Sequence, residues 1–287
     1  MATIQTYCRL LRVDRAASAA SAVLFAGLIS QDLTGIQPEY GVVCLVVLFS
    51  AFANFALNDY FDHENDRLNL REDRPLVHGA VSRKTAFVIA VISAILAITF
   101  TVFLNPLSRI LILVGLPVSL LYHMGVKKIL LLKNASIGLT NVGIILLGSV
   151  VTDSVIEPLV LYFAVIGFFA GFSYEVMLDI ADVEGDKAIG VETIPTRFGL
   201  RSATVLVSIL SLGGVVVNLL PFFVNLDPRL YRDSLFLILI LAPLVSRISI
   251  TRSLLVDHSR ENIFHLKKRV FRNLQLGCLC FIAGMLF

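Results

Sequence analysis

The stretch YGVVCLVVLFSAFANFALNDYFDHENDR, Tyr40 to Arg67, decides the fold class of this chain. Its first part, Tyr40–Leu57, carries no charged residue. About 20 apolar residues in a helix cross a bilayer, because the helix satisfies its own backbone hydrogen bonds. Its second part changes character at once, with Asn58, Asp59, Asp62, Asp66 and Arg67 in ten residues. Ionisable groups at the end of an apolar span are costly, and they mark a functional site by default.

The same pattern returns 120 positions later as Asp179, Asp182 and Asp186, closed by Lys187, after the apolar run Pro158–Leu178. On a helix, positions i, i+3 and i+7 fall within about 60° of one another. Each set is therefore one acidic stripe. Six carboxylates facing one space repel unless cations neutralise them. Oxygen ligands without His or Cys companions suit Mg²⁺ or Mn²⁺ rather than zinc. The expected ligands are Asn58, Asp59, Asp62, Asp66, Asp179, Asp182 and Asp186, holding two Mg²⁺ ions, with Mn²⁺ an acceptable replacement.

The rest of the chain fits a membrane. Of 287 residues, 57% are hydrophobic and only 16% charged, against about 25% charged in soluble domains. Nine spans are expected: Ala16–Leu33, Tyr40–Leu57, Thr85–Leu104, Ser108–Met124, Ala135–Val151, Pro158–Leu178, Ser202–Val224, Ser234–Ile250 and Val270–Phe287. With that count, 21 of the 24 Lys and Arg fall on one side, and only Arg109, Arg229 and Arg232 on the other. The positive-inside rule then puts the N-terminus and both stripes in the cytoplasm and the C-terminus outside, in a plasma or inner membrane. The basic residues are dispersed over separate loops without interleaved aromatics, which argues against nucleic acid. Cys8, Cys44, Cys278 and Cys280 lie in or beside apolar segments and are expected to be inert packing thiols. Nothing divides the chain, so one membrane domain is expected. The +120 offset suggests parallel halves of roughly 1–134 and 135–287.

The bases point to the substrate. Arg67, Arg71, Arg74, Lys127, Lys128 and Lys133 share the face of the stripes, and Lys187 closes the second. Guanidinium forks bind phosphate oxygens bidentately, and ammonium groups act as point charges. A polyanion gripped at the end of apolar helices implies a long apolar tail, and a prenyl diphosphate has both. Breaking its C–O bond is the difficult step, helped by cations on the departing diphosphate. The expected catalytic set is Asp62, Asp182, Arg67 and Lys127. The chain has no Trp, so an allylic cation must be met by Phe or Tyr; Tyr60, Phe61, Tyr122 and Tyr174 lie nearest the stripes. Tyr122, Tyr174 and Glu175 are minor site candidates. Glu175 sits one turn deeper than Asp179 and needs a partner, such as Tyr122 or a lysine. The loops at 58–84 and 179–201 contain Pro75, Gly79, Gly190, Pro195 and Gly199, which allow a short helix and a lid over the site.

The run Asn58–Arg67, with Arg74-Pro75 behind it, resembles the NDxxDxxxD signature of the UbiA superfamily of intramembrane prenyltransferases. Asp179–Lys187, with Gly190 and Thr193 behind it, resembles that family's second signature. Tyr122–Lys128 is similar to its Tyr-plus-basic segment, with a spacing that departs from YxxxK. The resemblance covers nearly the whole chain. It implies nine helices around a central cavity open to lipid, under a cytoplasmic cap. It also implies prenyl transfer to a lipophilic acceptor, either a glyceryl-lipid intermediate or an aromatic or quinone precursor. The Asp182–Asp186 run is somewhat closer to the glyceryl-lipid and chlorophyll-type branches. Two other classes compete. A cation-coupled transporter would place its charges at mid-membrane instead of one face. A CDP-alcohol phosphotransferase would carry one compact Asp-Gly and Ala-Arg motif, which is missing. Plain membrane borders explain one acidic cluster better than two with equal spacing.

Overall fold

A computed structural model describes residues 3–68, 71, 74–123, 129–188 and 190–286, without the side chain of residue 65. Lys127 and Lys128 lie outside the described residues. Among the described residues, regular structure is helical: α1 Ile4–Leu10, α2 Val13–Ile29, α3 Pro38–Leu68, α4 Arg83–Thr101, α5 Pro106–Tyr122, α6 Leu132–Ser149, α7 Pro158–Ala188, α8 Ile194–Phe198, α9 Leu200–Phe223, α10 Ser234–Val256 and α11 Arg260–Leu286. Each of the nine expected spans overlaps one of these helices. Among the described residues, α3 as far as Glu64, α4, α7, α9 and α10 are long and apolar enough to cross a membrane, and α5 is a shorter apolar helix.

Local chemistry sets the helix starts. Ser82, Asn105 and Asp233 each accept a hydrogen bond from the backbone N–H three residues on, opening α4, α5 and α10. Pro106 follows Asn105 at the first helical position, where its missing N–H costs nothing. The helices α3 and α7 do not stop where the apolar residues stop. They run on through both acidic stripes, to Leu68 and Ala188, because i, i+3, i+7 carboxylates leave the backbone ladder intact.

Packing along α4 is inverted relative to a soluble helix. Its small residues Ala86, Ala90, Ser93 and Ala97 are buried, while Phe87, Ile92, Ile95 and Ile98 are exposed. Small residues let helices approach closely, and large ones face lipid, the pattern of a membrane interior.

The chain divides into two compact units, Met1–Lys127 with Gly143–Glu157, and Lys128–Val142 with Pro158–Phe287. The first is built on Val23, Tyr40, Val43, Val46, Ala97, Ile112 and Leu147. At the end away from the acidic stripe, buried Asp32 fastens three elements. Its Oδ2 lies 2.8 Å from the Tyr40 hydroxyl, and it accepts from the Thr152 and Asp153 backbone N–H at 2.9 and 3.1 Å. The same Tyr40 hydroxyl is 2.8 Å from the Gly148 carbonyl oxygen. A Cβ on Gly27 would lie 2.2 Å from that hydroxyl, so only glycine admits the ring.

The second unit is built on Val176, Met177, Ile180, Ala203, Ile250, Leu254 and Ile263. In it α6 and α7 approach backbone to backbone. Asn141 Nδ2 donates to the Gly167 carbonyl at 3.0 Å, and a Cβ on Gly171 would meet that nitrogen at 2.4 Å.

Candidate active site

In the first unit, α1 positions the acidic stripe's partners. Leu10 packs with Leu76, Val81 and Ala86, so apolar contact holds α1 against the turn that follows Arg74. Between α1 and α2, Arg12 takes a left-handed conformation (φ 44°) and turns the chain at that point. Arg12 Nη2 and Arg74 Nη1 both donate to Asp59 Oδ1 at 2.6 Å, and Asp59 is 1% exposed. Arg12 also lies over the Phe55 ring, 4.8 Å from its centroid. Arg74 Nε is 3.6 Å from Asp66 Oδ2. Asp66 has its carboxyl pushed up to about 7, first by burial and then by the charge of Asp62, with Arg71 opposing. Carboxylates this close cannot all ionise cheaply without added cations. Asn58 and Asp62 are half-buried and Arg67 is exposed.

In the second unit, Asp179 is equally buried. Lys133 Nζ donates to its Oδ1, and Asn134 Nδ2 donates to its Oδ2 at 2.8 Å. Lys133 Nζ also lies 3.8 Å from Glu175 Oε1, so Glu175 has the lysine partner its depth requires. Burial alone would lower the Lys133 pKa, but Asp179 and Glu175 outweigh it and hold the ammonium charged. Asp182 is half-buried and Lys187 exposed. Asp186 is buried, and its Oδ2 accepts no hydrogen bond from any described residue. Beyond it the chain turns at Gly190 (φ 70°) and re-enters helix at Thr193, whose side chain and that of Thr196 cap α8 reciprocally.

The two stripes thus share one plan. The first carboxylate of each, Asp59 or Asp179, is sunk among basic side chains supplied by another element. The other two carboxylates lie nearer the helix end. Among the described residues, no three His, Cys or acidic side chains close into a metal cage. That suits Mg²⁺, which takes one or two carboxylates and completes its shell with water and phosphate oxygens. The orphaned Asp186 oxygen fits such an ion, as a buried carboxylate oxygen without a donor is otherwise costly.

Several expectations change. Arg12 and Asn134 were not among the site residues read from sequence, yet both hold buried carboxylates. The signal for Arg12 was the Arg9, Arg12, Arg15 spacing; Asn134 had only its place beside Lys133. Tyr60 already carries a cation on one face. The Arg83 guanidinium lies 4.9 Å from its ring centroid and donates to its carbonyl at 3.3 Å. Phe61 is exposed on the outer face. Tyr122 packs edge-on to His123 at 5.1 Å, and His123 Nε2 is 3.3 Å from Asn54 Oδ1. Tyr174 is half-buried beside the second unit's core. Cys8 is exposed and is not a packing thiol.

The fold and the site define a membrane-embedded, carboxylate-rich enzyme. Residues 18–274 match the UbiA prenyltransferase family. The chain is similar to digeranylgeranylglyceryl phosphate synthase of Archaeoglobus fulgidus, 30% identical over 84% of this chain and 81% of that protein. It is also similar to the enzyme of the same name from Pyrococcus abyssi, 28% identical over 78% of this chain and 79% of that one. A UbiA homolog from Archaeoglobus fulgidus, solved with GPP and Mg²⁺, shares the fold, with a TM-score of 0.69 over 98% of this chain and 99% of that one at 18% identity. The chain belongs to the UbiA prenyltransferase family: it is a transferase and an integral membrane protein.

Proposed function

We propose that the protein moves a prenyl group from a prenyl diphosphate to the hydroxyl of a glyceryl-lipid phosphate, forming an ether. The observation that carries this is the repeated stripe, with its sunken, salt-bridged first carboxylate and a buried Asp186 oxygen left without a donor. The names of the relatives from Archaeoglobus fulgidus and Pyrococcus abyssi support the glyceryl-lipid acceptor over an aromatic one.

Asp62, Asp66, Asp182 and Asp186 are the proposed Mg²⁺ ligands, with Asn58 beside them. When bound, two Mg²⁺ ions supply the charge that stabilises the departing diphosphate. Asp59 and Asp179 act through their partners, fixing Arg12, Arg74 and Lys133 where negative charge accumulates. Arg67, Arg71, Lys127, Lys128 and Lys187 add to the same neutralisation. The C–O bond to the diphosphate breaks, the acceptor oxygen bonds to the freed prenyl carbon, and the hydroxyl proton leaves. Apolar walls keep water from the intermediate cation.

The proposed topology has nine spans, with the N-terminus and both stripes cytoplasmic. The charge asymmetry and the helix under each expected span support it. The segments after α3 and α7 form the proposed cap. The test is turnover in proteoliposomes with geranylgeranyl diphosphate and either geranylgeranylglyceryl phosphate or hydroxybenzoate. Ether product from the first acceptor alone supports the reading; product only from hydroxybenzoate reassigns the acceptor.

A further inference from the structure

The first unit contains a cavity of about 630 Å³ bounded by α1, the start of α2 and the chain after α3. Among the described residues, Arg9, Arg12, Arg15, Arg71 and Arg74 line it, with Asp14 as the acid. Arg12 and Arg74 are shared with Asp59, at 2.6 Å. Among the described residues, neither Arg9 nor Arg15 has an ion-pair partner. Like charges gathered in one concavity raise each other's energy, and an anion relieves that cost. Ordinary membrane-border arginines reach outward to headgroups one by one. Here Arg12 is drawn inward by a buried carboxylate, and its neighbours line a half-open concavity in which Arg9 is exposed.

We propose that this cavity seats the phosphate monoester of the acceptor, apart from the donor's diphosphate. The proposal rests on the glyceryl-lipid reading above and extends it to a binding site. Donor chemistry needs divalent ions on carboxylates, and this cavity has, among the described residues, Asp14 as the one acid in its wall. It offers guanidinium forks, which bind phosphate oxygens bidentately without a metal. Arg12 and Arg74 are engaged by Asp59, while Arg9 and Arg15 have no ion-pair partner among the described residues, and those two charges match a phosphate dianion and exceed a benzoate's single charge. The site also solves an electrostatic problem. Two polyanionic substrates must meet in one centre, and Arg12 and Arg74 stand between this cavity and the first stripe. In a glycerol monophosphate the attacking hydroxyl lies no more than two carbons from the phosphate-bearing oxygen. A phosphate held here therefore keeps that hydroxyl near the stripe.

The experiment uses the full chain in proteoliposomes, with geranylgeranylglyceryl phosphate, its dephosphorylated alcohol, and geranylgeranyl diphosphate. Arg9→Gln combined with Arg15→Gln raises KM for the phosphorylated acceptor at least about tenfold, as expected for lost charge-assisted hydrogen bonds. Neither the KM of the alcohol nor that of the donor follows. Exposed Cys8 also lines the cavity, so the unmutated protein gives a second measurement. Maleimide labelling of Cys8 slows with the phosphorylated acceptor and not with the alcohol or the donor. Protection by the donor, or an unchanged acceptor KM while ether is still formed, overturns the proposal alone. A KM effect seen only in vesicles containing anionic phospholipid, and equal for all substrates, assigns the cavity to bilayer headgroups and also overturns it. Prenylation of hydroxybenzoate but of no glyceryl phosphate removes the reading beneath it as well.

Discussion

Arg12 and Asp59, 47 residues apart in sequence, meet at 2.6 Å, with the carboxylate almost fully buried. Arg74 takes the same oxygen at the same distance. A single buried Oδ1 thus joins the start of α2, the acidic end of α3 and the turn after it. Removing both partners of a buried carboxylate costs about 3–5 kcal/mol, because the charge is left uncompensated. Arg12→Gln with Arg74→Gln should therefore lose more stability than the single variants combined. Adding Asp59→Asn should restore folding, by thermal unfolding in detergent, without restoring transfer.

The half-buried middle carboxylates of the stripes should behave differently. Asp62→Ala and Asp182→Ala are expected to leave a folded, membrane-inserted protein and to lower turnover by about a hundredfold or more, the scale of a lost electrostatic contact to a developing charge. Normal turnover in either variant would remove the assignment of both stripes.

Asp66 gives a pH signature. Its carboxyl is raised to about 7 by burial and by Asp62, above the usual unfolded value near 4. The folded state therefore holds this proton more tightly than the unfolded state. That contribution to stability is complete below about pH 4 and is lost as pH rises through about 7. Metal-free protein should unfold at a lower temperature at pH 8 than at pH 6, and Asp66→Asn should flatten that difference. If added Mg²⁺ leaves the pH 8 melting temperature unchanged, the carboxylate does not meet the ion.

Gly27 tests the far end of the first unit. Gly27→Ala drives a methyl into the Tyr40 ring, so the phenol must leave Asp32. Overpacking costs about 1–3 kcal/mol. The expected result is a lower melting temperature with little change in KM for either substrate.

Much of this was legible from local sequence. Apolar runs locate the helices, because a bilayer forces backbone groups to be satisfied within each segment. The i, i+3, i+7 carboxylates locate the stripes, because helical geometry needs no tertiary knowledge. Glu175 could be assigned a partner, Tyr122 or a lysine, because a charge at that depth needs one, and the structure supplies Lys133. What could not be read were pairings set by packing between distant segments. Arg12 reaches Asp59 only because Leu10 packs on Leu76 and Val81. Arg83, at the start of the next helix, lies over the Tyr60 ring, a contact that the sequence around Tyr60 does not announce.

The central claim is that carboxylate stripes bind Mg²⁺ so that a prenyl diphosphate can ionise within the membrane. It is tested most directly by following diphosphate release and prenyl ether formation together in proteoliposomes, before and after EDTA. The account predicts that both appear in equal amounts, that chelator stops them, and that Mg²⁺ restores them in the unaltered protein but not in Asp62→Ala or Asp182→Ala. Transfer that continues undiminished in EDTA would contradict it.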